Sequence, residues 1–128
     1  RGLQLLEKAG LIKLKEGAGF KATLADVVDN PKHLQFKELE AAQLPRSIDD
    51  LDAATITMNY VMSAGLDPAK QGIFLEDKDA PLALMVIAAR PDNKDSEAVQ
   101  KFVTAYHSDE VKKFIADKYK GTIVPGWS

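Results

Sequence analysis

The stretch Leu51–Gly65 (LDAATITMNYVMSAG) is the feature that most constrains the fold of this chain. An apolar run, Ala53–Met58, is followed by the polar Asn59 and then by an apolar segment that ends at Gly65. This order predicts a strand that leads directly into a helix, with Asn59 as its N-cap residue. In open α/β sheets, small ligands bind beyond the carboxyl ends of the strands, where helix N-terminal amide groups also point. Thr57 and Asn59 are therefore the first candidates for ligand-binding residues.

Strand and helix patterns alternate along the rest of the chain. Leu82–Ala89 is apolar without alternation, which is typical of a strand that is buried on both faces. Helices are predicted where apolar residues recur at helical spacing and a capping residue is present. The predicted helices are Leu3–Ala9, which Gly10 ends, a short helix from Thr23 to Val28, one that begins at Asp67-Pro68, and two amphipathic helices capped by Ser96 and Ser108. Further strands are predicted at Leu11–Leu14, His33–Leu39 and Ile73–Leu75. The alternation indicates an α/β fold.

Composition excludes several classes of function. The 128 residues are enough for one compact domain, and a net charge of −2 argues against nucleic-acid binding. The chain has no cysteine, so it has neither a thiol nucleophile nor a disulfide. No apolar run approaches the roughly 18 residues of a membrane span, and no signal peptide is visible. The chain opens on a helical pattern at Arg1 without an initiator Met, so we expect a fragment or a processed piece.

The sequence contains no recognisable catalytic or metal-binding pattern, and it predicts no cofactor. His33 and His107 are the only histidines, and neither has metal-ligand or triad spacing around it. Glu76, Asp77 and Asp79 form an acidic group without EF-hand spacing, for which a solvated loop is the better interpretation.

Arg1 is open to two interpretations. A guanidinium at the start of a helix can hold a carboxylate in a bidentate fork with help from backbone amides. The alternative is an exposed arginine without a ligand. Asn59 is likewise either a simple helix cap or a ligand-binding residue. The residues alone therefore indicate an α/β domain with a candidate anion-recognising site.

Several segments together resemble one bacterial family, the MetQ/NlpA methionine-binding lipoproteins of ABC importers. They are Arg1–Leu14 (RGLQLLEKAGLIKL), Glu40–Ser47 (EAAQLPRS), Gly65–Lys70 (GLDPAK), Ser108–Phe114 (SDEVKKF), Tyr119–Gly121 (YKG) and Pro125–Trp127 (PGW). The similarity covers essentially the whole chain.

The resemblance implies a lobe of the type II periplasmic-binding-protein fold, with a mixed sheet flanked by helices, in a two-lobe protein. Residues 1–80 would be the second lobe, which is incomplete here. Residues 81–128 would be a return strand and C-terminal helices that connect to the first lobe. That first lobe and the lipidated cysteine would precede this chain.

The resemblance also implies site residues. Arg1 matches the arginine that pairs with the ligand carboxylate. The family usually reads Ile-Asn at the end of the central strand, whereas this chain reads Ile56-Thr57. Asn59 is expected to substitute for that asparagine, because alternate strand positions point the same way. A hydroxyl has one donor where an amide has two, so another apolar amino acid or a short methionine-containing peptide is an alternative ligand.

The function expected from the resemblance is the substrate-binding component of a methionine-type ABC importer, which is not an enzyme. It would bind L-methionine or a similar amino acid in an interlobe cleft and deliver it to the permease and ATPase subunits. It would be lipid-anchored at the periplasmic or extracytoplasmic face of the membrane. The alternative is a non-catalytic interaction domain that uses its amphipathic C-terminal helices as a docking surface.

Overall fold

A computed structural model of the chain describes residues 1–77, 80 and 82–127. It divides into two units, Arg1–Glu76 and the residues from Asp77 onward. The α-helices in the described residues are α1 (Gly2–Lys8), α2 (Leu44–Ser47), α3 (Met58–Ser63), α4 (Pro68–Gln71), α5 (Glu97–Tyr106) and α6 (Asp109–Tyr119). The strands are β1 (Lys13–Leu14) and β2 (Val27–Asp29), and short 3-10 turns cover Gly19–Lys21, Leu24–Asp26, Ala41–Gln43 and Ile48–Asp50.

The core of the first unit lies where α1 packs against β1. Ile12 and Leu14 are buried here, and no other apolar residue in the described ranges is buried as deeply. The Glu7 carboxylate on α1 accepts a hydrogen bond of 2.8 Å from the Leu14 backbone N–H. β1 pairs with β2 antiparallel, with Leu14 opposite Val27. A buried apolar pair and a side-chain bond to the backbone therefore attach α1 to the small sheet.

Helices α1 and α3 end with the same backbone motif. Gly10 follows α1 with φ of +75°, its N–H donates to the Glu7 carbonyl, and the Leu11 N–H donates to the Leu6 carbonyl. This is a Schellman motif, in which the residue after the C-cap adopts the left-handed conformation. Gly65, with φ of +70°, ends α3 with the same two bonds. Both glycines therefore fulfil the predicted role of helix terminator.

The predicted helix from Thr23 to Val28 is wrong. The chain makes a 3-10 turn at Leu24–Asp26 and then enters β2. The Asp26 carboxylate accepts hydrogen bonds from the Thr23 backbone N–H at 2.8 Å and the Thr23 hydroxyl at 3.0 Å. These bonds stabilise the charged form and, with nearby Lys15, lower the pKa of Asp26. The turn is thereby closed before a second helical turn forms.

Of the segments predicted as further strands, Leu11–Leu14 is confirmed in its second half as β1, whereas the others do not form strands. Within the described ranges, no ladder partner exists for His33–Leu39, Ile73–Leu75 or Leu82–Ala89, and the run from Ala53 forms no strand before α3 begins at Met58. A strand exists only where a neighbour satisfies its backbone groups. Since Leu82–Ala89 has no such neighbour here, the burial predicted for it is also absent.

Apolar surface is consequently abundant. Met85 is 96% exposed and Val86 is 81% exposed. The run Leu82–Ala89 therefore leaves much of its apolar surface uncovered.

The second unit contains both predicted amphipathic helices. The Ser96 hydroxyl accepts from the Val99 N–H at 3.4 Å, and the Ser108 hydroxyl accepts from the Val111 N–H at 3.3 Å. Both serines are thus N-caps, as predicted. In this unit the His107 ring stacks on Trp127 with 4.8 Å between ring centroids. Among the residues that the structure describes, no helix has the length and apolar character to cross a membrane.

Replacement of Gly10 by alanine should destabilise the protein by about 1–2 kcal/mol, because alanine is strained at positive φ. Equilibrium urea unfolding measures the effect. Gly10→Asn is the matched control, since asparagine tolerates the left-handed conformation, and it should cost less. Equal stability of Gly10→Ala and the unaltered protein would show that this helix end is not left-handed.

Candidate functional site

Arg1 lies immediately before α1, and its guanidinium forms an ion pair with Glu76. The Nη2 group donates to Oε2 of the carboxylate. The side chains of Arg1 and Glu76 are 44% and 32% exposed, so the pair is accessible from solvent. Arg1 is thus partnered, which corrects the interpretation of Glu76 as part of a merely solvated loop. Asp79 of that acidic group lies outside the described residues.

A close approach at Gly2 brings Thr55 against the start of α1, next to Arg1. A Cβ atom on Gly2 would lie 2.6 Å from the Thr55 hydroxyl oxygen. Such a distance is well below van der Waals contact, so the residue at position 2 has to be glycine while Thr55 stays in place. Thr55 therefore crosses directly against the first turn of α1. Thr57 follows two residues later, which is at most about 7 Å along the chain.

Thr57 and Asn59 are in direct contact. The Thr57 hydroxyl donates to the Asn59 side-chain oxygen at 2.7 Å, and both residues are exposed. Thr57 is itself the N-cap residue of α3, in an extended conformation, although its side chain makes no capping bond. The predicted capping role of Asn59 is therefore wrong. The helix begins two residues earlier than the polarity pattern indicates.

Asn59 lies inside α3, so the expectation that Thr57 and Asn59 are alternate residues of one strand is wrong. Alternate residues share a face in a strand but not in a helix. Asn59 comes close to Thr57 because the side chains bond to each other, not because both belong to one strand face. The bond holds the Asn59 amide oxygen at Thr57, and the orientation of the amide then depends on the threonine hydroxyl.

An open cavity of about 330 Å³ lies beside Arg1 in the first unit. Arg1, Lys37 and Glu38 contribute charged groups to it, and Leu6 and Phe36 contribute apolar surface. A space of this size is in the range that holds small molecules. Thr55 lines it too, whereas Thr57 and Asn59 are not among its described lining residues. The structure thus places Arg1 beside a cavity and Thr57 with Asn59 as a separate pair near it.

Sequence reasoning did not find Glu76 or the Gly2–Thr55 contact. Glu76 is 75 residues from Arg1 in the chain, so spacing carries no signal of their pairing. Gly2 at the start of a helical pattern was the one local sign of a close approach, because glycine has no packing advantage in a helix.

Solved structures of binding proteins share this backbone arrangement. A nutrient binding protein from Burkholderia cenocepacia, solved bound to methionine, has a TM-score of 0.82 and 43% identity, over 98% of this chain and 53% of that one. An ABC transporter periplasmic substrate-binding protein from Coxiella burnetii has a TM-score of 0.83 and 38% identity, over 97% of this chain and 52% of that one. The fold is therefore that of periplasmic substrate-binding proteins, which confirms the predicted fold class.

The family follows from the sequence comparison. The profile of the NlpA lipoprotein family matches residues 1–127. The D-methionine-binding lipoprotein MetQ of Escherichia coli O157:H7 is 53% identical over 129 residues, which cover 99% of this chain and 47% of that protein. The chain belongs to the NlpA lipoprotein family, as the resemblance predicted. It spans about half the length of the curated relatives it matches.

Gly2→Ala should lower the melting temperature, because the new methyl group collides with the Thr55 hydroxyl. The cost of such overpacking is about 1–3 kcal/mol. Thr55→Ala removes the colliding atoms, so the double variant Gly2→Ala/Thr55→Ala should be more stable than the sum of the two single effects. A thermal-unfolding double-mutant cycle measures this coupling. Additive effects would contradict the contact.

Proposed function

We propose that this chain is part of the substrate-binding component of a methionine-type ABC importer. The component binds an amino acid, methionine or a related ligand, in an interlobe cleft and delivers it to the permease. The observation that carries this proposal is the accessible Arg1 guanidinium beside a small cavity. Membership of the NlpA lipoprotein family and the binding proteins named above support it. The proposed role is binding without catalysis.

Arg1 is proposed to bind the ligand carboxylate. Guanidinium groups match carboxylates in a two-bond fork, and arginine stays charged at any physiological pH. The Thr57 hydroxyl and the Asn59 amide supply neutral polar groups for the ligand head group. Both ends of a zwitterion need partners, because a charge enclosed without one is costly. Closure of the cleft around the ligand provides that enclosure.

The two parts of the chain are proposed to serve different roles. Residues 1–80 form the second lobe, and residues 81–128 form a return strand and the C-terminal helices that connect to the first lobe. The exposed apolar run Leu82–Ala89 supports this, because it has the composition of a sheet strand and lacks a partner in the described ranges.

The location and the partners follow from the family. Relatives are named lipoproteins, and one structural neighbour is named as a periplasmic protein of an ABC transporter. We infer a lipid-anchored protein at the extracytoplasmic face of the membrane, with permease and ATPase subunits as its partners. Thr57 in place of the family asparagine leaves other apolar amino acids and short methionine-containing peptides as candidate ligands.

Arg1→Ala in the full-length protein should weaken amino-acid binding by about 2–5 kcal/mol, because the ligand carboxylate loses its charged partner. Isothermal titration calorimetry with methionine measures the change.

Arg46→Ala is the matched control. Arg46 is an exposed arginine on α2 in the same unit, and its removal should leave the affinity unchanged. An unchanged affinity of the Arg1→Ala variant would contradict the assignment of Arg1 to the binding site.

One observation favours a second function, that of an interaction domain. Both C-terminal helices carry exposed aromatic residues, Phe102 and Tyr106 on α5 and Phe114 on α6. Exposed aromatic side chains on amphipathic helices are typical of docking surfaces.

A thermal-shift screen of the full-length protein against the common amino acids, in both enantiomers, separates the two functions. The melting temperature of a binding protein should rise by several degrees with its own ligand, because a ligand that binds only the folded state stabilises that state. If no amino acid raises the melting temperature, the interaction domain is the better description.

A further inference from the structure

The ion pair between Arg1 and Glu76 sets the charge pattern of the candidate site. A positive and a negative side chain stand in direct contact, and both are reachable from solvent. Only Nη2 of the guanidinium is bonded to Oε2 of Glu76. A guanidinium has five N–H donors, and a carboxylate has about four lone-pair sites on two oxygens. Each group therefore retains capacity for a second partner of opposite charge.

A contact ion pair of opposite charges is complementary to the head group of an α-amino acid. In such a head group, the ammonium nitrogen and a carboxylate oxygen are roughly 3 Å apart, which is also the length of a charge-assisted hydrogen bond. A zwitterion placed alongside the pair brings its carboxylate to Arg1 and its ammonium to Glu76. The four charges then alternate in sign around a ring, and each has two attractive neighbours.

The neutral side chains of Thr57 and Asn59 are less suited than Glu76 to bind the ammonium group of the ligand. An ammonium group needs acceptors, and the acceptor of Asn59 is its amide oxygen, one of whose two lone pairs already accepts from the Thr57 hydroxyl at 2.7 Å. Hydrogen bonds between two charged groups are also roughly twice as strong as neutral ones. Glu76 is the carboxylate that the structure places in contact with the carboxylate-binding arginine.

We propose that Glu76 binds the ammonium group of the amino-acid ligand while Arg1 binds its carboxylate. This inference rests on the proposed function and deepens it, because it makes the substrate class a zwitterion with adjacent charges. Glu76 is then a specificity-determining residue. It distinguishes an α-amino acid from a carboxylic acid that lacks the amino group.

The test is calorimetry on the full-length protein with two ligands, methionine and 4-(methylsulfanyl)butanoate, which has the same side chain and carboxylate but no ammonium group. Glu76→Gln should weaken methionine binding by about tenfold or more, because a charged acceptor becomes a neutral one. The binding of 4-(methylsulfanyl)butanoate should change by less than about threefold, since Arg1 remains.

Asp92→Asn is the matched control. Asp92 pairs with Arg90 in an exposed ion pair, with 3.0 Å between the Arg90 Nε and Asp92 Oδ1 atoms. The exchange removes the same charge from a residue that has no role in the proposed site, so both ligands should bind as they do to the unaltered protein.

Two outcomes would overturn the inference while the proposed function stands. An equal loss of affinity for both ligands would show that Glu76 only positions Arg1. A gain of affinity for both ligands would show that Glu76 competes with the ligand carboxylate for Arg1. If the unaltered protein does not bind methionine or any other amino acid, the proposed function fails and the inference fails with it.

A comparison that needs no variant guards against misfolding of Glu76→Gln. The unaltered protein should bind methionine at least about tenfold more tightly than 4-(methylsulfanyl)butanoate, because only methionine uses both charges. Equal affinities would contradict a carboxylate partner for the ammonium group.

Discussion

The contact between α1 and β1 is the interaction on which the first unit depends. It buries Ile12 and Leu14, the most deeply buried apolar residues in the described part of the chain. It also uses the Glu7 carboxylate to satisfy the Leu14 N–H. The helix that carries Arg1 at its start is thereby attached to the sheet at its other end. The placement of the arginine therefore rests on a small core, and a loss of packing there would move the candidate site.

Charge pairing shapes the site in the same unit. Arg1 lies at the start of a helix, where the helix dipole is unfavourable for positive charge. The Glu76 carboxylate compensates this charge and leaves the guanidinium accessible. A site built from a contact ion pair suits a zwitterion without carrying a net charge of its own. The nearby Thr57–Asn59 pair adds neutral polar groups to this arrangement.

Local features were predictable and paired features were not. The glycines after α1 and α3 and the serines before α5 and α6 act within one turn of their helix, so a few neighbouring residues suffice to identify them. The predicted strands at His33–Leu39 and Leu82–Ala89 failed because strand formation requires a neighbouring backbone. The propensity of these segments is real, yet no described residue pairs with them. Position alone made Arg1 a candidate but left an exposed arginine as the alternative, and the family resemblance then favoured the ligand-binding interpretation.

The sequence by itself determined the family, the glycine ends of α1 and α3, the serine caps of α5 and α6, and the presence of a candidate carboxylate-binding arginine. These depend on local patterns and on similarity along the whole chain. Only the tertiary structure decided the partner of that arginine, the glycine that Thr55 requires at position 2, and the identity of the α3 N-cap. The physical reason is distance along the chain. Glu76 is 75 residues from Arg1, and their contact exists only because the folded backbone brings both ends of the first unit together.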